Sequence, residues 1–153
     1  MEGFRETDDG VEMLLADTDS IPADMVVLAI GVTPDTHLAQ EAGLAMGVRG
    51  SILVNDHMET SAPDVYAVGD AVQVKHLVTG EETLISLAGP ANKQGRIAAD
   101  NICGIPSTYR GSQGSSVIKV FDITAASTGV NETVAKASGL EADHGILSPM
   151  SHA

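Results

Sequence analysis

Apolar residues along this chain fall in short runs separated by glycine, proline and aspartate turns. Two brief extended pieces flank Asp8-Asp-Gly10, a turn signal, and together predict a hairpin. Residues 25–30, Met-Val-Val-Leu-Ala-Ile, form the longest unbroken apolar block and read as a strand buried on both faces, ended by Gly31 and Pro34. Residues 36–42 suit a short helix with Asp35 or Thr36 as its cap and Gly43 as its stop. Gly47, Gly50 and Ser51 mark a loop, residues 52–54 a second extended piece, and Asn55-Asp56 a turn. After the turn residues Pro63 and Asp64, the run Val65-Tyr-Ala-Val68 predicts a short parallel strand. Residues 72–78 and 83–87 flank Thr79-Gly80-Glu81 as a hairpin. Pro90 opens a helix, where its missing amide hydrogen costs nothing, and Gly104 and Pro106 end it. Ala91, Gly95, Ala98 and Ile102 share one face of that helix at 3.6-residue spacing. Glycine at position 95 costs about 1 kcal/mol of helix propensity against alanine, which points to close packing there. Residues 111–116 read as a flexible link, 117–121 as a strand followed by an extended piece at 125–129, and 133–139 as a short helix.

The chemistry concentrates at the end of the strand at 65–68. Gly69 has no Cβ and lets the backbone approach a large partner. Asp70 then stands at a strand's carboxyl end, where open α/β sheets bind ligands, and its carboxylate can accept hydrogen bonds from a sugar-alcohol hydroxyl. An ordinary aspartate turn closing a strand has the same spacing. The start of the Pro90 helix carries unsatisfied amides and a partial positive charge, a second place for a negative group. A buried helix with small residues is the alternative there.

Composition narrows the classes. At 153 residues there is room for one ordinary domain, and 43% hydrophobic residues suit a folded chain. Eight basic residues against 21 acidic ones leave a net charge of −13, which argues against a nucleic-acid surface. No apolar run approaches membrane-spanning length, and the polar, acidic first ten residues do not resemble a signal peptide. A single cysteine excludes an internal disulfide and fits a cytoplasmic setting. That residue, Cys103, lies near a helix end, where the dipole disfavours a thiolate, and reads as a packing residue. Histidines 37, 57, 76, 144 and 152 lack metal-ligand spacing and read as surface or turn residues. Glu12, Asp17 and Asp19 have no His or Cys to complete a metal set and read as a solvated acidic hairpin. Lys93 and Arg96 read as a solvated helix face. No G-x-G-x-x-G or P-loop is present.

Thr60-Ser-Ala-Pro-Asp-Val-Tyr-Ala-Val-Gly-Asp70 resembles the second FAD-binding motif of the pyridine nucleotide-disulfide oxidoreductases. Val27-Leu-Ala-Ile-Gly-Val-Thr-Pro34 resembles the strand and glycine turn that close that family's NAD(H) domain. Leu87-Ala-Gly-Pro-Ala-Asn-Lys-Gln-Gly-Arg-Ile-Ala-Ala-Asp-Asn-Ile102 resembles its flavin-facing helix. The similarity runs from about residue 23 to about residue 132, nearest the coenzyme A-disulfide reductases and NADH oxidases. It implies an α/β fold: part of an FAD/NAD(P)-binding Rossmann-like domain with β-hairpins, plus the start of an α+β interface domain. The implied boundaries are 1–40 for the end of the NAD(P)H-binding domain, 41–113 for the carboxyl-terminal segment of the FAD domain, and 117–153 for the start of the dimerisation domain. The resemblance puts Asp70 on the FAD ribitol, Gly69 and Ala71 near the pyrophosphate, and the amides near Ala91 and Asn92 at the flavin. Asn92 falls where some coenzyme A-disulfide reductases touch coenzyme A. The implied activity passes electrons from NAD(P)H through FAD to a disulfide or to oxygen, in a homodimer acting on a small molecule. The redox cysteine and both phosphate-binding turns lie outside this chain, so the stretch is expected to be a carboxyl-terminal fragment, inactive alone. A ferredoxin or rubredoxin reductase shares the Gly-Asp motif, and a binding or assembly module without flavin is the other alternative.

Overall fold

The computed structural model describes residues 1–16 and 18–148. The chain separates into two compact units, Met1–Thr33 and Pro34–Ala153.

The first unit is a three-stranded antiparallel sheet. Strands β1 (Gly3–Thr7) and β2 (Gly10–Leu14) pair from Gly3 opposite Leu14 to Thr7 opposite Gly10, so Asp8 and Asp9 form the turn as the sequence predicts. A third strand, β3 (Ile21–Ala23), adds to the free edge of β2. Pro22 is tolerated in β3 because β3 is an edge strand that need not donate from every residue. Glu12 accepts from Arg5 at 3.0 Å and also from the Ser20 hydroxyl, which accounts for this acid as part of the hairpin. Asp19 is exposed, and Asp17 lies outside the described residues.

Residues 25–30 do not form the expected buried strand. They are irregular, and Met25, Val27 and Ile30 are 77%, 76% and 82% exposed. A strand hidden on both faces needs a neighbour on each edge to take its amides and carbonyls. Among the described residues no strand pairs with this one.

The second unit builds the packed interior. Helix α1 (His37–Glu41) stops at Gly43, as expected. The Asp35 carboxylate accepts from the His37 amide, whereas the Thr36 hydroxyl donates away, to the Gly50 carbonyl at 2.7 Å. A tight 3₁₀ turn, Val48–Gly50, occupies the glycine-marked loop. At Asn55 the side-chain oxygen accepts the amides of His57 (2.9 Å) and Glu59 (3.0 Å), the turn chemistry its residue type predicts. The strand expected at 65–68 reduces to one antiparallel bridge, Tyr66 with Glu59. The turn at Pro63 folds the chain back onto residues 58–60, where the Thr60 amide meets the Val65 carbonyl and the Ala67 amide meets that of Met58. Pairing with that curled turn leaves Val65 and Val68 about 40% exposed.

Strands β4 (Val74–Lys75) and β5 (Glu82–Thr83) form the predicted hairpin in shortened form. Helix α2 (Ala88–Ile102) begins two residues before Pro90. Residues 111–113 are not a free link. His76 and Ser112 form a parallel bridge beside β4, and a Cβ on Gly111 would collide with the Lys75 carbonyl oxygen. Only glycine allows that approach. Strands β6 (Ser116–Val120) and β7 (Ile123–Ser127) pair antiparallel about Phe121-Asp122, and α3 (Glu132–Ala137) follows, its first turn capped by the Asn131 side chain. The core joins Met58, Val72, Val74, Ala98 and Tyr109, flanked by Ile52, Val54, Ile85 and Ile97. The architecture is therefore mixed helix and strand with β-hairpins, and among the described residues parallel pairing is confined to two bridges, Ile52 with Val72 and His76 with Ser112.

Candidate functional site

Gly69, Asp70 and Ala71 form a single 3₁₀ turn between extended Val68 and extended Val72. Gly69 takes φ +87°, a conformation that other L residues rarely adopt, and nothing lies within 4 Å of where its Cβ would be. Glycine is required here by the backbone, and the space beyond it is open. Both ends of the turn are anchored. The Gly69 amide donates to Gln94 Oε1 on α2 at 2.6 Å, and the Ala71 carbonyl accepts from the Ile52 amide at 2.8 Å. Val72, 1% exposed, plugs the next residue into the core. Asp70, between the anchors, is exposed. The motif thus presents a carboxylate from a fixed turn rather than from the tip of a long strand.

Helix α2 meets this turn through a face the spacing argument placed differently. Its fully buried residues are Gln94 and Ala98, with Ile97 packed against the core, whereas Ile102 is 63% exposed. The buried stripe is rotated from the small-residue stripe because Gln94 has a bonding partner in the interior, which lets a polar side chain take an inward position. Gly95 has nothing within 4 Å of a would-be Cβ, so the close packing expected there is absent from this chain. The helix has no side-chain cap and no acidic residue in its first turn. Its early start moves the unbonded amides: that of Ala91 donates to the Leu87 carbonyl at 3.1 Å, leaving Ala88 and Gly89 as the helix's opening donors. Asn92 is exposed on the second turn. Gly89, Pro90 and Lys93 line a cleft with Tyr109, Gly111 and Ser112; Asp70 is not part of that wall. The Tyr109 hydroxyl is buried without a hydrogen-bond partner among the described residues.

The far end of α2 is held by a knot the sequence did not reveal. Asn101 Nδ2 lies 2.8 Å from the Ile97 carbonyl, 2.9 Å from that of Ser107 and 3.2 Å from that of His57. Its Oδ1 accepts from the Ser107 amide at 3.3 Å, and His57 Nδ1 donates to the Ser107 carbonyl at 2.9 Å. Gln94 and Asn101, seven residues apart, are two polar residues on the core side of an otherwise mixed helix; that spacing was the one signal available. Cys103 caps this helix end but is exposed, not packed as expected. His76 accepts the Val78 and Thr79 amides and serves the hairpin turn, His37 is exposed beside Glu41, and His152 lies outside the described residues. Among the described residues no group of three or more metal-ligating side chains occurs, and no helix is long and apolar enough to cross a membrane. The Tyr66 phenol is raised above its ordinary pKa, by desolvation first and then by the Glu59 carboxylate, toward which its hydroxyl donates at 3.5 Å.

The profile of the pyridine nucleotide-disulphide oxidoreductases matches residues 1–95, and the chain belongs to that family. The chain is 38% identical over 136 residues to the coenzyme A-dependent NAD(P)H sulfur oxidoreductase of Pyrococcus abyssi, covering 89% of this chain and 30% of the relative. It is 39% identical over 120 residues to an NADH oxidase of Methanocaldococcus jannaschii, covering 78% and 27%. Among solved structures it resembles an NAD-dependent persulfide reductase from A. fulgidus with a TM-score of 0.80 and 43% identity, covering 92% of this chain and 26% of that one. The chain thus spans about 30% of the length of the curated relatives it matches.

Proposed function

We propose that this chain is part of an FAD-dependent oxidoreductase that takes electrons from NAD(P)H and delivers them to a sulfur acceptor, a disulfide or persulfide, or to oxygen. The observation that carries this reading is the Gly69–Ala71 turn: pinned at both ends, open beyond Gly69, with Asp70 exposed between the anchors. These residues fit FAD. Asp70 accepts hydrogen bonds from the ribitol hydroxyls, and the open space at Gly69 admits the pyrophosphate near Ala71. The uncapped start of α2 would supply the free amides of Ala88 and Gly89 and a positive dipole end for the electron-rich edge of the flavin; of the two residues expected there, Ala91 has its amide on the Leu87 carbonyl and Asn92 stands on the second turn. When bound, FAD supplies the two-electron chemistry; the chain supplies orientation and electrostatics. Asn92 is the candidate for contact with a thiol-bearing substrate. In this reading residues 1–40 end an NAD(P)H-binding domain, 41–113 close the FAD domain, and 117–153 begin a dimerisation domain of a cytoplasmic homodimer. The electron acceptor is a small molecule, and the net charge of −13 speaks against nucleic acid.

The test is a chimera in which this chain replaces the stretch it matches in the Pyrococcus abyssi relative. Flavin absorbance and fluorescence titration then report FAD binding. Asp70→Asn is expected to weaken FAD by about tenfold or more, since a charged acceptor contributes more than a neutral one. A colourless chimera, or Asp70→Asn and Asp70→Ala chimeras with unchanged affinity, would overturn the proposal.

A further inference from the structure

Gln94 is one of the most deeply buried side chains of the molecule, at 1% exposure, four residues before buried Ala98 on α2. A primary amide in such surroundings is costly unless it is bonded, and this one spends its oxygen on a backbone donor, the Gly69 amide at 2.6 Å. Gly69 is already in the left-handed region, and its amide immediately precedes the residue on which the cofactor reading depends. At the other end of the turn the Ala71 carbonyl is held by Ile52. With two of three residues fixed, the direction in which Asp70 leaves the turn follows from the anchors. Without an acceptor at position 94, the Gly69 amide would be an unpaired donor facing a packed helix, and the turn would rotate to find another partner.

We propose that Gln94 is a positioning residue for the cofactor contact: it acts through Gly69 to aim the Asp70 carboxylate. The proposal rests on the assignment of Asp70 to FAD given above. Gln94 touches no cofactor; its oxygen sets the geometry that Asp70 uses. A residue that merely filled the core would affect stability without changing flavin affinity in the molecules that remain folded.

Two measurements test this. Amide hydrogen exchange on the full chain reports the Gly69 amide directly, with no cofactor needed. Gln94→Met keeps the volume and removes the acceptor, and is expected to speed Gly69 exchange about tenfold or more, while Gln94→Glu keeps the acceptor and the protection. In the chimera described above, Gln94→Met is expected to weaken FAD about tenfold, and Gln94→Glu to stay within about twofold of the parent. Should Gln94→Met fail to fold, Gln94→Asn, which retracts the acceptor by one methylene, is expected to show the same losses. If Asp70→Asn weakens FAD but Gln94→Met and Gln94→Asn do not, the positioning role is overturned and the Asp70 reading stands. If Gln94→Glu loses as much affinity as Gln94→Met, an acceptor at this position does not set the Asp70 geometry, and the role is again overturned. If Asp70→Asn leaves FAD unchanged, both proposals fall together.

Discussion

Residues 25–30, which read as a strand buried on both faces, and the stretch 52–74, which read as an extended piece at 52–54, a short strand at 65–68 and the start of a hairpin at 72 with turns between, met opposite fates. The first is the more apolar, yet Met25, Val27 and Ile30 stand more than three-quarters exposed. The second is broken by turns and polar residues, yet it supplies Met58, Val72 and Val74 to the core. Hydrophobicity did not decide between them. Residues 52–74 fold back on themselves, so Ile52 finds Met46 and Val72, and Tyr66 finds Glu59, within the same unit. Residues 25–30 find no strand to pair with among the described residues. A buried strand is a property of its neighbours as much as of its own side chains.

The contrast can be broken by truncating one apolar residue from each region. Met58→Ala should destabilise the chain by about 2–5 kcal/mol in urea denaturation, the range for emptying a filled core position. Val27→Ala should change it by less than about 0.5 kcal/mol. Equal effects would mean that residues 25–30 are packed after all. Next in size, Asn101→Ala is expected to cost about 1–3 kcal/mol, because it strands the Ser107 amide and releases three carbonyls at the end of α2. The far-ultraviolet melting curve should shift down accordingly; an unchanged curve would show that the knot is ornamental. Asn131→Ala removes the cap of α3, where the side chain accepts the Val134 amide at 2.9 Å, and should cost about 1 kcal/mol. Faster exchange of the α3 amides, with the core of the second unit untouched, is the expected readout.

The smallest effect concerns Tyr66. Its phenol should titrate above the ordinary tyrosine range by ultraviolet absorbance, and Glu59→Gln should bring the midpoint down without fully restoring it, since desolvation, the larger cause, persists. A midpoint insensitive to Glu59 would break the pairing of Tyr66 with residues 55–60 that replaced the expected strand.

Local chemistry was legible at once. The Asp8-Asp9 turn, the Asn55 turn, the α1 stop at Gly43, the β4–β5 hairpin and the span of α2 all follow from residues within a few positions of each other. The Gly69-Asp70 pair was legible as a candidate site from the missing Cβ at Gly69 and a carboxylate beside it; that the backbone itself favours glycine there, at φ +87°, came only with the structure. Gln94 was not legible as a partner of Gly69. The two are 25 residues apart, and a glutamine on a helix carries no mark of the amide it will meet. Likewise the rotation of the buried face of α2 away from Ala91 and Ile102 depends on which side the core arrives from.

The sequence by itself determined where the chain turns and where its helices begin and end to within a few residues. Tertiary structure alone decided which apolar runs are hidden, which face of α2 looks inward, and what holds the Gly69 amide. The reason is physical: backbone dihedral preferences and caps act over one or two turns of chain, whereas burial and the pairing of an interior amide depend on groups that only folding brings within hydrogen-bond reach.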